Sequence, residues 1–565
     1  MKQITSPSHL SIAALILFSI FALKDLSKPG FYTSHDGENH AARIAQYYNA
    51  IGDGQIPPRF AGSFYSGLGS PIFVYIYPLP YALGAAIHAT GISYADSFKI
   101  LMAFGFVFSG IFSFLWLREI AGSEKAAFLG ALFYTWVPYR FLLVYVRASL
   151  SELLAYTFVP LVFYALTKLS KSKDLRWVAI SALSISLVLL SQNLVALITI
   201  PVFAVYVLIL TVFEKSPKFF ILAALSSLWG FLISAITYLP SLLERGYVRF
   251  DQIISIAYPN HFVTLKQLIR SPWGYGFDLP GTVNDQMSFQ IGLIHILVFL
   301  VSLFVSAFLL IKRKDLKLVS LNSFFILAFL AAAFLMVQTK YSLYFWQNYK
   351  ILQTVDIPWR FLGIVSLSTA FMAAYAAKTL KPGAIFIFLA VLVLFANRNH
   401  LRINQSRDLD DQFFDQYTGT ATQYNEFTPK WRQTDKAPVD FGDQMVEVEE
   451  GSAQILNLST DSKTTKFNAD VKSGSAKIRI NKFYFPNVGL MIDNVKNQTF
   501  TITDAKNLDL SRQRDTSGLV QIDLEKGSHQ VELIYGETTT RQAANYISAL
   551  ALLFAIGTAV KNAKA

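Results

Sequence analysis

The feature that most constrains this chain is the recurrence of apolar runs long enough to leave water altogether. A helix needs about 17–25 such residues to cross a ~30 Å hydrocarbon core. Runs of this kind fall near residues 9–25, 97–117, 125–139, 150–167, 177–192 and 194–213, then near 219–242, 288–311, 318–338, 359–377, 383–397 and 544–560. Between them charge is sparse: 15% of the 565 residues are Asp, Glu, Lys or Arg, against about 25% in soluble domains. The chain is therefore expected to be a polytopic α-helical membrane protein with about 12 transmembrane helices. That excludes a water-soluble enzyme and a disordered chain. Cysteine is absent, which excludes a disulfide scaffold, a thiolate metal site and cysteine catalysis.

Basic residues fix the expected orientation, because Lys and Arg accumulate in cytoplasmic loops. They cluster at Arg118/Lys125, Lys168/Lys171/Lys173/Arg176, Lys215/Lys218, Lys312/Arg313/Lys314/Lys317, Lys378/Lys381 and Lys561/Lys564. All six clusters share a side if residues 71–89, interrupted by Pro78 and Pro80, do not cross. Both chain ends are then cytoplasmic, as expected for a multi-pass protein of a bacterial cytoplasmic (inner) membrane. The net charge of +12 belongs to these clusters, so the bilayer is the partner it implies, not a nucleic acid. Residues 1–397 form the transmembrane domain on this reading, with large outer loops at 26–96 and 243–287. Residues 544–565 form the last span and a cytoplasmic tail.

Residues 398–543 differ sharply in composition and should lie outside the cytoplasm as a β-rich domain. Period-two runs at Ala476–Phe485, Thr499–Thr503, Leu519–Leu524 and His529–Tyr535 predict strands. Turn signals at Ser473-Gly474, Gly518 and Lys526-Gly527 suit an antiparallel β-sandwich.

Two polar constellations stand out. The first outer loop carries Ser34-His35-Asp36-Gly37-Glu38-Asn39-His40 and then Arg43. Asp36 sits where a helix cap belongs, and capping is its plainer role. His35, Asp36, Glu38 and His40 are also the residue types that hold a divalent cation such as Mg or Mn. The second constellation, Tyr139-Arg140, Tyr145, Arg147, Ser149 and Glu152, closes the third span. Ionisable groups at that depth pair with one another or line a cavity; the plainer outcome is an Arg147–Glu152 ion pair. Arg360 stands behind Pro358 and Trp359 at the end of the tenth span, where interfacial anchoring is the alternative. Trp273 and Tyr275 offer rings for stacking on a sugar, or belt positions at the membrane surface. His261 and Trp431 are isolated in the sequence and are expected to be structural.

An Asp in a long first outer loop, a proline-containing apolar segment, two spans, and an acidic residue in the second outer loop is a plan that resembles the GT-C membrane glycosyltransferases. These include oligosaccharyltransferase catalytic subunits, protein O-mannosyltransferases and aminoarabinose transferases. More closely, the chain resembles bacterial membrane proteins labelled "6-pyruvoyl-tetrahydropterin synthase-related", a label whose chemistry these residues do not suggest. The likeness rests on His35-Asp36, Tyr134 through Glu152, Tyr238-Leu239-Pro240 with Glu244, and Ser271 through Gly276. It continues in Ile357 through Phe361, Glu426-Phe427 with Pro429, and Phe483 through Pro486. Departures are Gln192-Asn193 in place of His-Asn, Asn487-Val488 in place of Gly-Trp, and glutamate at position 152 where a metal-binding aspartate would stand.

The resemblance implies a polyprenyl-phosphate-linked sugar donor and a glycan, lipid or protein acceptor at the outer face. It implies Asp36 as catalytic base with Glu38 or Glu152 as runner-up, and His35, His40, Arg43, Arg140, Arg147, Glu244, Trp273, Tyr275 and Arg360 around the substrates. The competing class is non-catalytic: a flippase, a transporter, or a glycan-binding scaffold for lipid-linked sugars. A transporter usually carries charges near the bilayer midplane; here the acidic groups collect at loops.

Overall fold

A computed structural model describes residues 9–561 except 255–256, 280, 282–284, 313, 381–382, 420–421, 423–424, 433–443, 497 and 505–514. Arg313, Lys381 and Lys564 of the basic clusters lie outside the described residues. Each apolar run coincides with a helix or a bent helix pair. Among the described residues seven helices are long and apolar enough to cross a membrane, nine if each of two bent pairs counts as one span, and three more apolar helices are shorter. The short ones include α1 (His9–Ala22).

The first loop folds as α2 (Gly37–Gly52), α3 (Ile72–Tyr75) and α4 (Leu79–His88) before the long span α5 (Tyr94–Ala121). Residues 71–89 form no single helix long enough to cross, since the ten residues of α4 reach only about 15 Å. Tyr94 and Asn49 both donate to Asp415, at 3.0 Å each, so the loop and the start of α5 share one side. The bundle continues with α6 (Glu124–Thr135) and α7 (Pro138–Phe141). Pro138 breaks the helical ladder, and the pair bends by 48° into a π turn over Leu142–Val146. Ala148, at φ 52°, then redirects the chain into α8 (Leu150–Ser172). Next come α9 (Leu175–Ser191), α10 (Asn193–Phe213), α11 (Pro217–Ile233) and α12 (Ala235–Leu243).

The helices α8 and Pro358–Leu380 form the centre of the bundle, each with 89% of its apolar stretch buried. The last helix, Thr539–Lys561, is peripheral, at 17%. Lys171 pairs with Glu119 at 2.7 Å and Lys317 pairs with Glu214. These pairs tie helix ends remote from the first loop, where the basic clusters gather.

The C-terminal domain is one antiparallel seven-stranded sheet. Strands β1 (Phe31–Tyr32) and β2 (Ser406–Arg407) pair outside it, stitching the first loop to the segment that leads into the sheet. The sheet comprises β3 (Val446–Glu450), β4 (Ala453–Thr460), β5 (Thr464–Phe483), β6 (Val488–Ile492), β7 (Val495–Lys496), β8 (Thr501–Ile502) and β9 (Leu519–Tyr535). Its order is β3-β5-β9-β6-β7, with β4 beside β5 and β8 beside β9. Two sequence turn signals are corrected here: Ser473-Gly474 lies within β5, and Lys526-Gly527 lies within β9. Both sit where the register shifts between Val471 and Ser475, so the glycines serve a bulge in continuous strands. Inward parity switches there, from Phe467, Ala469 and Val471 to Ala476, Ile478 and Ile480, and both halves enclose one core.

The sheet packs on the first loop. Phe483 N–H donates to the Leu68 carbonyl at 2.9 Å, Ser462 N–H donates to Asp53 at 3.0 Å, and the Phe485 ring meets Phe60.

Candidate active site

A cavity of about 560 Å³ opens on the sheet side of the bundle. Asp36, His35, His40, Arg43, Arg147 and Arg360 all line it. Asp36 stands just before α2, yet its side chain makes no cap bond. Its backbone N–H donates to the Arg147 carbonyl at 2.8 Å. A Cβ at Gly37 would run into the Ser34 hydroxyl and lie 3.1 Å from the Ala148 Cβ, so glycine eases the close approach of α2 there. The Asp36 carboxylate, about one-third exposed, accepts from Arg147 at 3.2 Å.

Arg147 is the hub. Its other arm donates to Glu152 at 2.6 Å, and its guanidinium lies 4.9 Å from the Trp359 ring centre. Glu152 is fully buried; it also accepts from the Tyr139 hydroxyl, and Arg360 approaches to 3.6 Å. Arg360 in turn pairs with Asp356. Buried charges need such partners. A charged chain thus runs from Asp36 at the cavity surface through Arg147, Glu152 and Arg360 to Asp356. A Cβ at Gly363 would run into the Tyr156 ring, which lets the Pro358–Leu380 helix approach α8 so closely.

Trp359 is fixed by an indole N–H bond to Asp278 at 2.8 Å, and Asp278 also bonds His261 at 2.6 Å. Burial alone raises the Asp278 carboxyl, but the bonds from His261 and Trp359 outweigh it and hold the carboxyl below its usual range. Burial pushes the His35 imidazole down, and its ring stacks on Phe277 at 4.5 Å. His40, lowered further by burial and by Arg43, bonds the Tyr81 hydroxyl at 3.1 Å.

Other expected site residues sit elsewhere. Glu38 turns away and pairs with Arg407 at 2.6 Å. Glu152 supports the cavity wall without lining it. Arg140 is buried behind the wall, 4.7 Å from the Tyr134 ring centre. Glu244 pairs with Arg541 at 2.8 Å, in the junction with the last helix. Trp273 stacks on His400 at 4.2 Å, and the Tyr275 hydroxyl donates to the Arg402 carbonyl at 2.9 Å. The aromatic residue of that loop that lines the cavity is Phe277, 56% exposed. Sequence reasoning also missed Asp278, Asp356, Trp359 and Glu426 as lining groups, and it took His261 for an isolated residue.

The first-loop cluster does not converge as a cation site. Glu38 points to Arg407, while the His35 and His40 rings bond Tyr275 and Tyr81. Among the described residues no three His, Asp or Glu side chains are placed to hold a metal. The donor set as placed does not fit a divalent cation.

A family model for the 6-pyruvoyl-tetrahydropterin synthase related domain, described as a membrane protein, matches residues 73–403. The chain belongs to this family. Arg147, Glu152, Asp278, Asp356 and Arg360 fall within the matched stretch; Asp36 and the sheet fall outside it. An uncharacterized protein of Lactococcus lactis subsp. cremoris (strain MG1363) is 26% identical over 210 residues, 36% of this chain and 34% of that one. The present chain thus spans about a third of that relative.

Similar solved structures include arabinofuranosyltransferase AftD from Mycobacteria, at 13% identity and a TM-score of 0.44, covering 70% of this chain and 27% of that one. The apo Archaeoglobus fulgidus oligosaccharyltransferase matches at 15% identity and a TM-score of 0.39, covering 74% of this chain and 57% of that one.

Proposed function

We propose that this protein is a membrane glycosyltransferase that moves a sugar from a polyprenyl-phosphate-linked donor to a hydroxyl of a glycan, lipid or protein acceptor. The reaction would take place on the outer face of a bacterial cytoplasmic membrane, with the sheet outside. The observation that carries the proposal is the Asp36 carboxylate, open to a cavity that also presents Arg43, Arg147 and Arg360.

Asp36 accepts the proton of the acceptor hydroxyl as its oxygen attacks the anomeric carbon. The bond from that carbon to the phosphate oxygen breaks, and the prenyl phosphate leaves with the electron pair. Guanidinium groups suit the charge that develops on it, because their donors match phosphate oxygens. Glu152 keeps Arg147 and Arg360 aimed without competing for the ligand.

The lipid part of the donor has a route as well. An apolar groove of about 480 Å³ lies among α8, α9, α10 and α11. It shares Leu189, Ala196 and Ile200 with a 370 Å³ space that in turn shares Asn193, Leu194, Phe250, Thr354 and Phe427 with the polar cavity. A prenyl chain lying along this path would bring its phosphate to the arginines.

The test is sugar transfer in membranes containing the wild-type chain or the Asp36→Asn variant, supplied with a panel of polyprenyl-phosphate sugars. Transfer by the wild type and its collapse in the variant is expected. No transfer with any donor would favour a non-catalytic carrier of lipid-linked sugars, and full transfer by the variant would remove Asp36 from the chemistry.

A further inference from the structure

Glu426 is used neither by the charged chain nor by the sheet. The segment that joins the bundle to the sheet delivers it into the cavity. That segment is held along its length: β2 pairs with β1, Tyr65 N–H donates to the Gly419 carbonyl at 3.1 Å, and Arg249 N–H donates to the Thr428 carbonyl at 3.2 Å. Asn425, at φ 56°, turns the chain so that Glu426 enters the cavity, only 9% exposed.

One carboxyl oxygen of Glu426 accepts from the Thr422 hydroxyl at 2.6 Å. Among the described residues no cation forms an ion pair with Glu426; Asp356, which lines the same cavity, is already taken by Arg360. Burial, with Asp356 nearby, holds the Glu426 carboxyl above its usual range against the bond from Thr422. A carboxyl group held by one hydroxyl keeps further lone pairs with which to accept from a second. Beside a threonine hydroxyl, that is the chemistry that recognises a sugar hydroxyl, not a phosphate.

The place is equally informative. Phe427, the next residue, lines both the polar cavity and the apolar path. Its ring is closed off between Tyr75, at 5.5 Å, and Phe250, at 5.7 Å. Glu426 therefore stands where a lipid-borne head group passes from the path into the cavity.

We infer that Glu426 and Thr422 form a hydroxyl-recognition site for the sugar of the lipid-linked donor. This rests on the glycosyl-transfer reading for its ligand but not for its measurement, which is binding. The purified full chain in detergent is titrated with C10 prenyl phosphates carrying a pentose or a hexose, and with the same prenyl phosphate lacking a sugar. The wild type binds at least one sugar-bearing ligand more tightly than the sugar-free one. Glu426→Ala weakens that ligand about tenfold, the scale of one lost buried hydrogen bond, and leaves the sugar-free ligand unchanged. Glu426→Gln weakens that ligand less than Glu426→Ala does, because the amide oxygen still accepts from a hydroxyl.

Thr422→Val, which keeps the shape, weakens sugar binding a few-fold and serves if Glu426→Ala does not fold. Equal weakening of both ligands, no weakening of either, or no preference of the wild type for any sugar overturns the inference. Sugar-selective binding without transfer would leave it standing and remove the glycosyl-transfer reading instead.

Discussion

Two arginine–glutamate pairs in this molecule use the same chemistry to opposite ends. Arg147 donates to Glu152 at 2.6 Å and lies over the Trp359 ring at 4.9 Å. Arg541 donates to Glu244 at 2.8 Å and lies over the Phe485 ring at 5.0 Å. Both glutamates are buried and both accept a hydroxyl, from Tyr139 and Thr538 respectively. What differs is the remaining arm of each arginine. That of Arg541 turns back to the Gly536 carbonyl and closes the cluster into a clamp between α12, the last helix and the sheet. That of Arg147 reaches out to Asp36 at the cavity surface. A buried ion pair is weak evidence for stability and weaker evidence for function; the open arm makes one pair part of a site.

The largest effect separates the open arm from the pair behind it. Asp36→Asn should lower sugar transfer by about 10²–10⁴-fold, the usual cost of losing a general base. Its melting temperature should stay close to wild type, because the side chain makes no cap bond and its pairing with Arg147 is partly solvated. A variant that transfers normally, or that melts several degrees lower, would place Asp36 with the structural pairs.

The closed pair should behave in reverse. Glu244→Ala leaves Arg541 buried and uncompensated, which costs about 3–5 kcal/mol, while transfer per folded molecule is retained. Glu152→Ala should lose stability on the same scale and transfer as well, since it releases both Arg147 and Arg360. Thermal unfolding in detergent together with initial transfer rates decides. Loss of transfer in Glu244→Ala at an unchanged melting temperature would extend the site to the sheet junction.

The contrast also shows how far the sequence could be read. The spans were legible because burial in a bilayer depends on mean hydropathy, which survives without knowing any contact. The long strands were legible from alternation, but Gly474 and Gly527 announced turns that are one bulge across β5 and β9. At the site, residue type was legible and direction was not. Glu38, Arg140, Glu244, Trp273 and Tyr275 are all plausible by chemistry, yet each is turned to a structural partner that lies far off in sequence or across a helix. Asp278 and Asp356 carry no local signal, and the motif around Glu426 gives its side chain no direction; three separate loops bring them to one cavity, and only the fold reveals that.

A buried cation that, among the described residues, forms no ion pair with a carboxylate sharpens the comparison further. Lys482 donates to the Gly67 carbonyl at 2.8 Å, and burial pushes its ammonium down to about 8 from an ordinary 10.5. Between those values the unfolded chain holds more protons than the folded one. Stability should therefore rise with pH from about 8 toward 10, by up to about 1.4 kcal/mol per unit. Below pH 8 both states are charged and the penalty is constant. Lys482→Met should be more stable than wild type near pH 7, with the difference shrinking toward pH 10. A difference independent of pH would mean that Lys482 keeps its ordinary protonation in the fold.

The smallest effects should come from the rings beneath the two arginines. Trp359→Phe retains a ring under Arg147 but deletes the N–H that bonds Asp278, so the ring is free to shift while Asp278 keeps His261. The expected result is a rise of a few-fold in KM for the donor, on the scale of about 1 kcal/mol for one hydrogen bond, with kcat and melting temperature close to wild type. Phe485→Leu removes the ring beside Arg541 and should cost about 1 kcal/mol of stability beyond the packing loss, with no change in KM. The two variants report on different observables because the arginines they support end differently, one at a carboxylate that lines the cavity and one at a backbone carbonyl. If Trp359→Phe lowered only the melting temperature and Phe485→Leu only the donor affinity, the assignment of open and closed clusters would have to be exchanged.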